Sequence, residues 1–262
     1  MTAPKAIVLR TSGINCDLET EFALSRAGFD AKRVHIEDLI GGREELRNYS
    51  IMVIPGGFSY GDDIASGRVL ANEMRYLLGD KIFSFLDNGG LALGICNGFQ
   101  VMVKFGLLPY RIESPDMQAF SLVDNECCSF VDRWVRLKPQ SRKCVFLSDD
   151  EIVELPVAHA EGRFIANDNA LIDELFERDQ VVFTYVDEKG EPAGFPDNPN
   201  GSYRGVAAVC DETGRVLGMM PHPERFISPY NHPRHTREGL KEIGDGFRIF
   251  RNAYEYAIKE VR

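Results

Sequence analysis

The first hundred residues alternate short β-branched apolar runs with helix-like segments: AIVLR, DLETEFALSRAG, DAKRVHI, IMVIP, RVLANEMRYLLGDKIFSFLDNGG and LALGI. No other feature restricts the fold as much. Strands joined through crossover helices run parallel, and a parallel sheet is covered on both faces. The expected class is therefore α/β, a mostly parallel open sheet flanked by helices. Within it, Asp17 to Gly28 should be a helix with Leu18, Phe22 and Leu24 beside Ala23 and Ala27 on one apolar stripe, stopped by Gly28.

From about Pro109 to Ala170 the rhythm changes to short strand-like pieces, WVRL, CVFLS and EIVELPVAH. We read residues 1–262 as a single domain with a β-rich elaboration at about 109–170, because no Pro/Gly/Ser-rich linker sets that stretch apart. VVFTYV, GVAAVC and RVLGMM continue as strands, and GFRIFRNAYEYAIKEV places Phe247, Phe250, Tyr254, Ala257 and Val261 at helical spacing as core residues. A net charge of -10 and a pI near 5.1 oppose phosphate backbones and anionic lipid. Neither nucleic acid nor a membrane is expected as a partner. No stretch approaches ~18 apolar residues and the amino terminus has no leader pattern, so a cytoplasmic protein is expected. The six cysteines show no C-x-x-C pair and no zinc spacing, so reduced thiols and no metal are expected.

The apolar run LAL leads into LGICNGFQ, in which Cys96 stands between Gly94 and Gly98. As a small core residue it would need no glycines. On a tight turn between a strand ending at Ile95 and a helix starting near Asn97, its side chain is held out of the fold, and flanking glycines let that turn close. The helix start favours an anion and supplies amide donors. A nucleophilic cysteine needs a base held by an acid. VLGMMPHPER offers His222 after a strand, with Glu224 two residues on and on the same side of an extended segment stiffened by Pro221 and Pro223. Among the other histidines, His35 falls in a strand, His159 at a strand end facing solvent or substrate, and His232 and His235 in a polar loop without ligands.

A third constellation is IMVIPGGFSYGDDIASG, a strand ending in two glycines. The Lys and Ser/Thr of a phosphate-binding loop are absent. Amides of Gly57 or Phe58, with that of Asn97, suit an oxyanion hole instead, where one lost donor costs ~2.7 to 4 kcal/mol. Asp62 and Asp63 fit turn or interface roles as well as catalytic ones.

GICNGFQ, PHPER and PGGFSYGDD together resemble the class I glutamine amidotransferase family, whose fold is flavodoxin-like. SGINCDLET, LPVAHAEGRF, NPNGS and MMPHPERF narrow the resemblance to glutaminase subunits of phosphoribosylformylglycinamidine synthases, which serve purine biosynthesis. The family usually has HGEG where this chain has HAEG. The resemblance implies hydrolysis of L-glutamine through a thioester on Cys96, with His222 as proton carrier, Glu224 fixing its tautomer and Gln100 contacting substrate. It implies no cofactor in this chain. A synthetase subunit would carry ATP, magnesium and the ribonucleotide, a small accessory subunit could join, and GDDIASGR and HPERFISPYNHPRHT are candidate rims of the interface. The alternatives are a stand-alone cysteine hydrolase of γ-glutamyl or peptide bonds, another pathway's amidotransferase, and a binding module that kept the fold.

Overall fold

The computed structural model describes residues 2–114 and 117–260. Its sheet has nine strands, and the βα rhythm of the sequence forms one half of it. β1 (Lys5–Arg10), β2 (Asp30–His35), β3 (Ile51–Ile54), β4 (Leu91–Ile95) and β11 (Val216–Met219) lie in the order β2-β1-β3-β4-β11, every pairing parallel. All residues of β3, β4 and β11 are buried, as a strand covered on both faces requires. The crossovers are α1 (Asp17–Ala27), α2 (Ile36–Ile40) and α3 (Arg68–Asp87), and β4 leads into α4 (Asn97–Phe105).

The other half is antiparallel. β10 (Val206–Cys210), β9 (Val181–Val186), β6 (Val131–Pro139) and β7 (Val153–His159) extend the same sheet from β11 to its edge. β6 and β7 come from the expected elaboration and are built into the main sheet. Its other two strands, β5 (Phe120–Val123) and β8 (Arg163–Ala166), pair separately over α4, where Phe164 stacks between Phe99 and Phe120.

Several local expectations change. CVFLS is not a strand: Val145 N donates to Gly214 O and Asn252 donates to Phe146 O, so buried Cys144 and Phe146 plug the core from a turn. Residues 169–177, between the expected elaboration and the strand VVFTYV, form α5 (Asn169–Glu177), capped by Asp168 accepting from Ala170 N. On α1 the apolar stripe does not all face inward. Leu18 is 61% and Phe22 57% exposed, while Asp17, Thr20, Ala23 and Leu24 are buried. The last helix, α6 (Phe247–Glu260), buries Ile249, Phe250, Ala253 and Ala257 and leaves Phe247 and Tyr254 half-buried; Val261 lies outside the described residues. No described helix is long and apolar enough to cross a membrane.

Candidate active site

Cys96 sits between β4 and α4 with φ 51° and ψ -105°, a conformation costing a non-glycine residue about 1–3 kcal/mol. The neighbouring glycines explain how the turn closes. A Cβ on Gly98 would stand 1.9 Å from Ile54 O, and one on Gly94 would stand 2.7 Å from Gly98 O. The elbow is pinned by Cys96 N donating to Met219 O at 2.7 Å, so β11 fixes it against the segment that carries His222. The Cys96 thiol donates to Ala158 O, 3.7 Å away at the end of β7.

His222 follows β11 and is held by its N–H donating to Pro156 O at 2.8 Å. The chain beyond it is a 3-10 turn over Pro223–Arg225, not the extended segment expected from its two prolines. Proline at the first position of such a turn loses no needed donor. The turn brings Glu224 Oε1 to 2.6 Å from His222 Nδ1, both side chains almost fully buried. Burial opposes protonation of His222. The charge of Glu224, the nearby sulfur of Cys96 and the contact with Cys16 outweigh it, and hold the imidazole protonated well above its usual range. Nε2 has no partner among the described residues.

The expected oxyanion donors divide. Phe58 N–H is already donated to Gly13 O at 2.9 Å, which removes it as a donor in this conformation. The amides of Gly57 and of Asn97, at the start of α4, are given to no protein acceptor among the described residues. Gly57 has φ 142°, and a Cβ there would lie 2.8 Å from Gly13 O and from Asn15 N. Only glycine lets this backbone cross so close to the loop after β1.

Gln100, 4% exposed, is committed at both ends: Oε1 accepts from Asn97 Nδ2 at 3.0 Å, and Nε2 donates to Glu161 O at 2.5 Å. It braces α4 against the β7–β8 loop. Asn97 also donates to Asp62 Oδ1 and accepts from Ser59 N, so Asp62 anchors the glycine-rich loop to the elbow. Asp63 is exposed.

His159 ends β7 and is buried, not facing solvent. Asn125 Oδ1 accepts from Gly162 N and faces His159 Nδ1 at 3.0 Å, which assigns the ring proton to Nδ1. Burial, then the charge of His222, lowers His159 to about 4, so it is neutral beside its charged neighbour. The NPNGS segment supports the same loop, with Asn200 Nδ2 donating to Gly162 O and Ser202 Oγ accepting from Phe164 N. Ala160, the HAEG substitution, is exposed and costs this packing nothing visible.

His232 is also buried, against Trp134 and Phe226, with Nε2 3.0 Å from Glu154 Oε2; it has the partner that its polar segment did not advertise. His35 ends β2 and caps α2 through Nδ1. Cys16, Arg225, Asn125 and Glu161 were not singled out by sequence. Their signals, the cysteine in SGINCDLET and the arginine in PHPER, lay inside motifs whose other residues drew the chemistry.

Among the described residues, ligand-type atoms gather within 4.8 Å in two groups, Cys16–His222–Glu224 and Glu154–His232–Glu238. In the first, Glu224 already holds His222 and Arg225 holds Cys16; in the second, Arg234 holds both Glu154 oxygens. A cavity of about 590 Å³ lies by Tyr49, Lys81 and Phe85, and none of the site residues above lines it.

Residues 3–257 match the CobB/CobQ-like glutamine amidotransferase domain. The chain is 44% identical over 260 residues to phosphoribosylformylglycinamidine synthase subunit PurQ of Dehalococcoides mccartyi, covering 98% of this chain and 99% of the relative. It is 41% identical to the PurQ subunit of Methanococcus maripaludis, covering 97% of each. A chain in the structure of PurLQS from Thermotoga maritima superposes with a TM-score of 0.74 at 29% identity, covering 97% of this chain and 99% of that one. With the elbow, the His–Glu pair and a match along nearly its whole length, the chain belongs to the PurQ family of glutamine amidotransferase subunits.

Proposed function

We propose that this chain is the glutaminase subunit of a phosphoribosylformylglycinamidine synthase, acting in the cytoplasm on L-glutamine and passing ammonia to a synthetase subunit. The observation that carries it is the arrangement around Cys96: a strained elbow opposite a buried His222 that Glu224 keeps protonated. Cys96 passes its thiol proton to His222 as its sulfur attacks the side-chain amide carbon of glutamine, and the carbonyl oxygen takes the negative charge under the amides of Gly57 and Asn97. His222 gives its proton to the nitrogen, the C–N bond breaks and ammonia leaves. Water then adds to the thioester with its proton going to His222, the C–S bond breaks and glutamate is released. Glu224 orients the imidazole and balances its charge throughout.

ATP, magnesium and the ribonucleotide belong on the synthetase in this reading, and a small third subunit joins the complex, as the PurLQS assembly of Thermotoga maritima suggests. The test is glutamate release by this chain and by Cys96→Ala, each with and without the synthetase, ATP and formylglycinamide ribonucleotide. The reading expects release that needs Cys96 and rises when the loaded synthetase is added. Cys96-dependent release indifferent to those additions would instead identify a stand-alone hydrolase.

A further inference from the structure

Cys16 is the second sulfur beside His222. It lies in the loop after β1, immediately before α1, and is fully buried. Its N–H donates to Gly56 O at 3.2 Å, and its carbonyl accepts from Thr20 Oγ1 at 2.6 Å, so the backbone is fixed on both sides. A Cβ built on Gly56 would lie 2.7 Å from His222 Cε1 and 3.2 Å from Cys16 Sγ; the sulfur and the ring therefore meet across bare glycine backbone. Arg225 Nη2 donates to Cys16 Sγ at 3.1 Å, while Arg225 Nε donates to Glu19 at 3.2 Å and draws α1 into the same cluster. Glu224 Oε2, the oxygen not used by His222, has no partner among the described residues.

We propose that Cys16, held by Arg225, is a positioning residue that keeps the Glu224–His222 pair dry and aligned; this rests on the proposed glutaminase reading. A buried thiol suits the place because it fills space, accepts weakly from Arg225 and brings no charge of its own. Burial, first, and the charge of Glu224 push the Cys16 thiol above its ordinary range, against the lowering effects of His222 and Arg225, so it stays neutral and is no nucleophile at neutral pH. An anion here would compete with Glu224 for Arg225, and a smaller residue would admit water. Water raises the local dielectric, which weakens the attraction through which Glu224 holds the proton on His222.

The groups facing His222 are Glu224 and Arg225 on its own segment, Cys96 on the β4–α4 elbow, Cys16 before α1 with Glu19 behind Arg225, and neutral His159 at the end of β7. Altering Cys16 removes neither a charge from this set nor the proposed nucleophile.

The test compares pH profiles of glutamine hydrolysis for the wild-type chain, Cys16→Ala and Cys16→Ser, each assembled with its synthetase, with Cys96→Ala in parallel. Cys16→Ala should lose about 10-fold to 100-fold in kcat at unchanged KM. Its alkaline limb should move down by about one pH unit, because the proton on His222 is held less firmly. Cys16→Ser, which restores an acceptor for Arg225, should return the limb towards the wild-type position. A Cys16→Ala profile reduced in height but unmoved in pH would overturn the inference and leave a packing role. Activity surviving in Cys96→Ala would overturn the glutaminase reading itself, whatever Cys16→Ala does. Thermal melts establish that each variant is folded.

Discussion

The two halves of the sheet each bring a buried histidine to the region of Cys96, and one is charged where the other is neutral. His222, from the parallel half, has Glu224 at 2.6 Å and is held protonated. His159, from the antiparallel edge, has a neutral amide as its partner and falls to about 4. Burial penalises both charged forms. What decides the outcome is the partner on Nδ1, a carboxylate in one case and an amide oxygen in the other. The parallel half thus supplies the groups that react in the proposed mechanism, since Gly57, Cys96 and His222 all follow the carboxyl ends of neighbouring strands. The antiparallel half supplies a neutral wall.

The largest effect should come from the proposed nucleophile. Cys96→Ala should lower glutamine turnover on the order of 10⁶-fold, measured as glutamate release, with the fold unchanged by thermal melt. Glu224→Gln erases the difference between the two histidines by giving His222 an amide partner like that of His159. Turnover should fall on the order of 10⁴-fold. The raised His222 is protonated below its folded-state value and loses its proton as pH rises through it, so in Glu224→Gln the alkaline limb of the remaining activity should move to lower pH.

His159 sharpens the comparison from the other side. Its lowered folded-state value means that the unfolded chain binds a proton between about 6.5 and 4 that the native chain refuses, so stability falls as pH drops through that interval. At ~1.4 kcal/mol per pH unit the loss is about 3 kcal/mol. His159→Gln should remove that acid sensitivity in urea melts run across the interval, and an unchanged pH slope would show that His159 is protonated in the native state. Smallest of all, Phe22→Ser on the exposed face of α1 should change stability by less than about 0.5 kcal/mol. A loss of several kcal/mol would mean that α1 buries the stripe its sequence suggests.

The parallel half was legible because its signals are local. β-branched runs, crossover helices and the glycines around Cys96 each state their geometry within a few residues. His222 and Glu224 were legible by spacing, but the spacing suggested an extended segment where a 3-10 turn closes the contact. Phe58 was offered as an oxyanion donor because sequence shows which amides exist and not which are already donated, here to Gly13 O. His232 and Cys16 were missed as partners for a related reason. Glu154 lies 78 residues from His232, and Arg225 lies 209 from Cys16. Leu18 and Phe22 fit a helical period but sit on the face that the core does not cover.

The most direct test of the central claim, that Cys96 and not its buried neighbour attacks glutamine, is to trap the chain with a glutamine analogue carrying an electrophilic diazoketone in place of the amide. Peptide mass analysis then locates the adduct. The structure predicts it on the peptide containing Cys96, lost in Cys96→Ala and retained in Cys16→Ala. An adduct on Cys16 that survives Cys96→Ala would contradict the account.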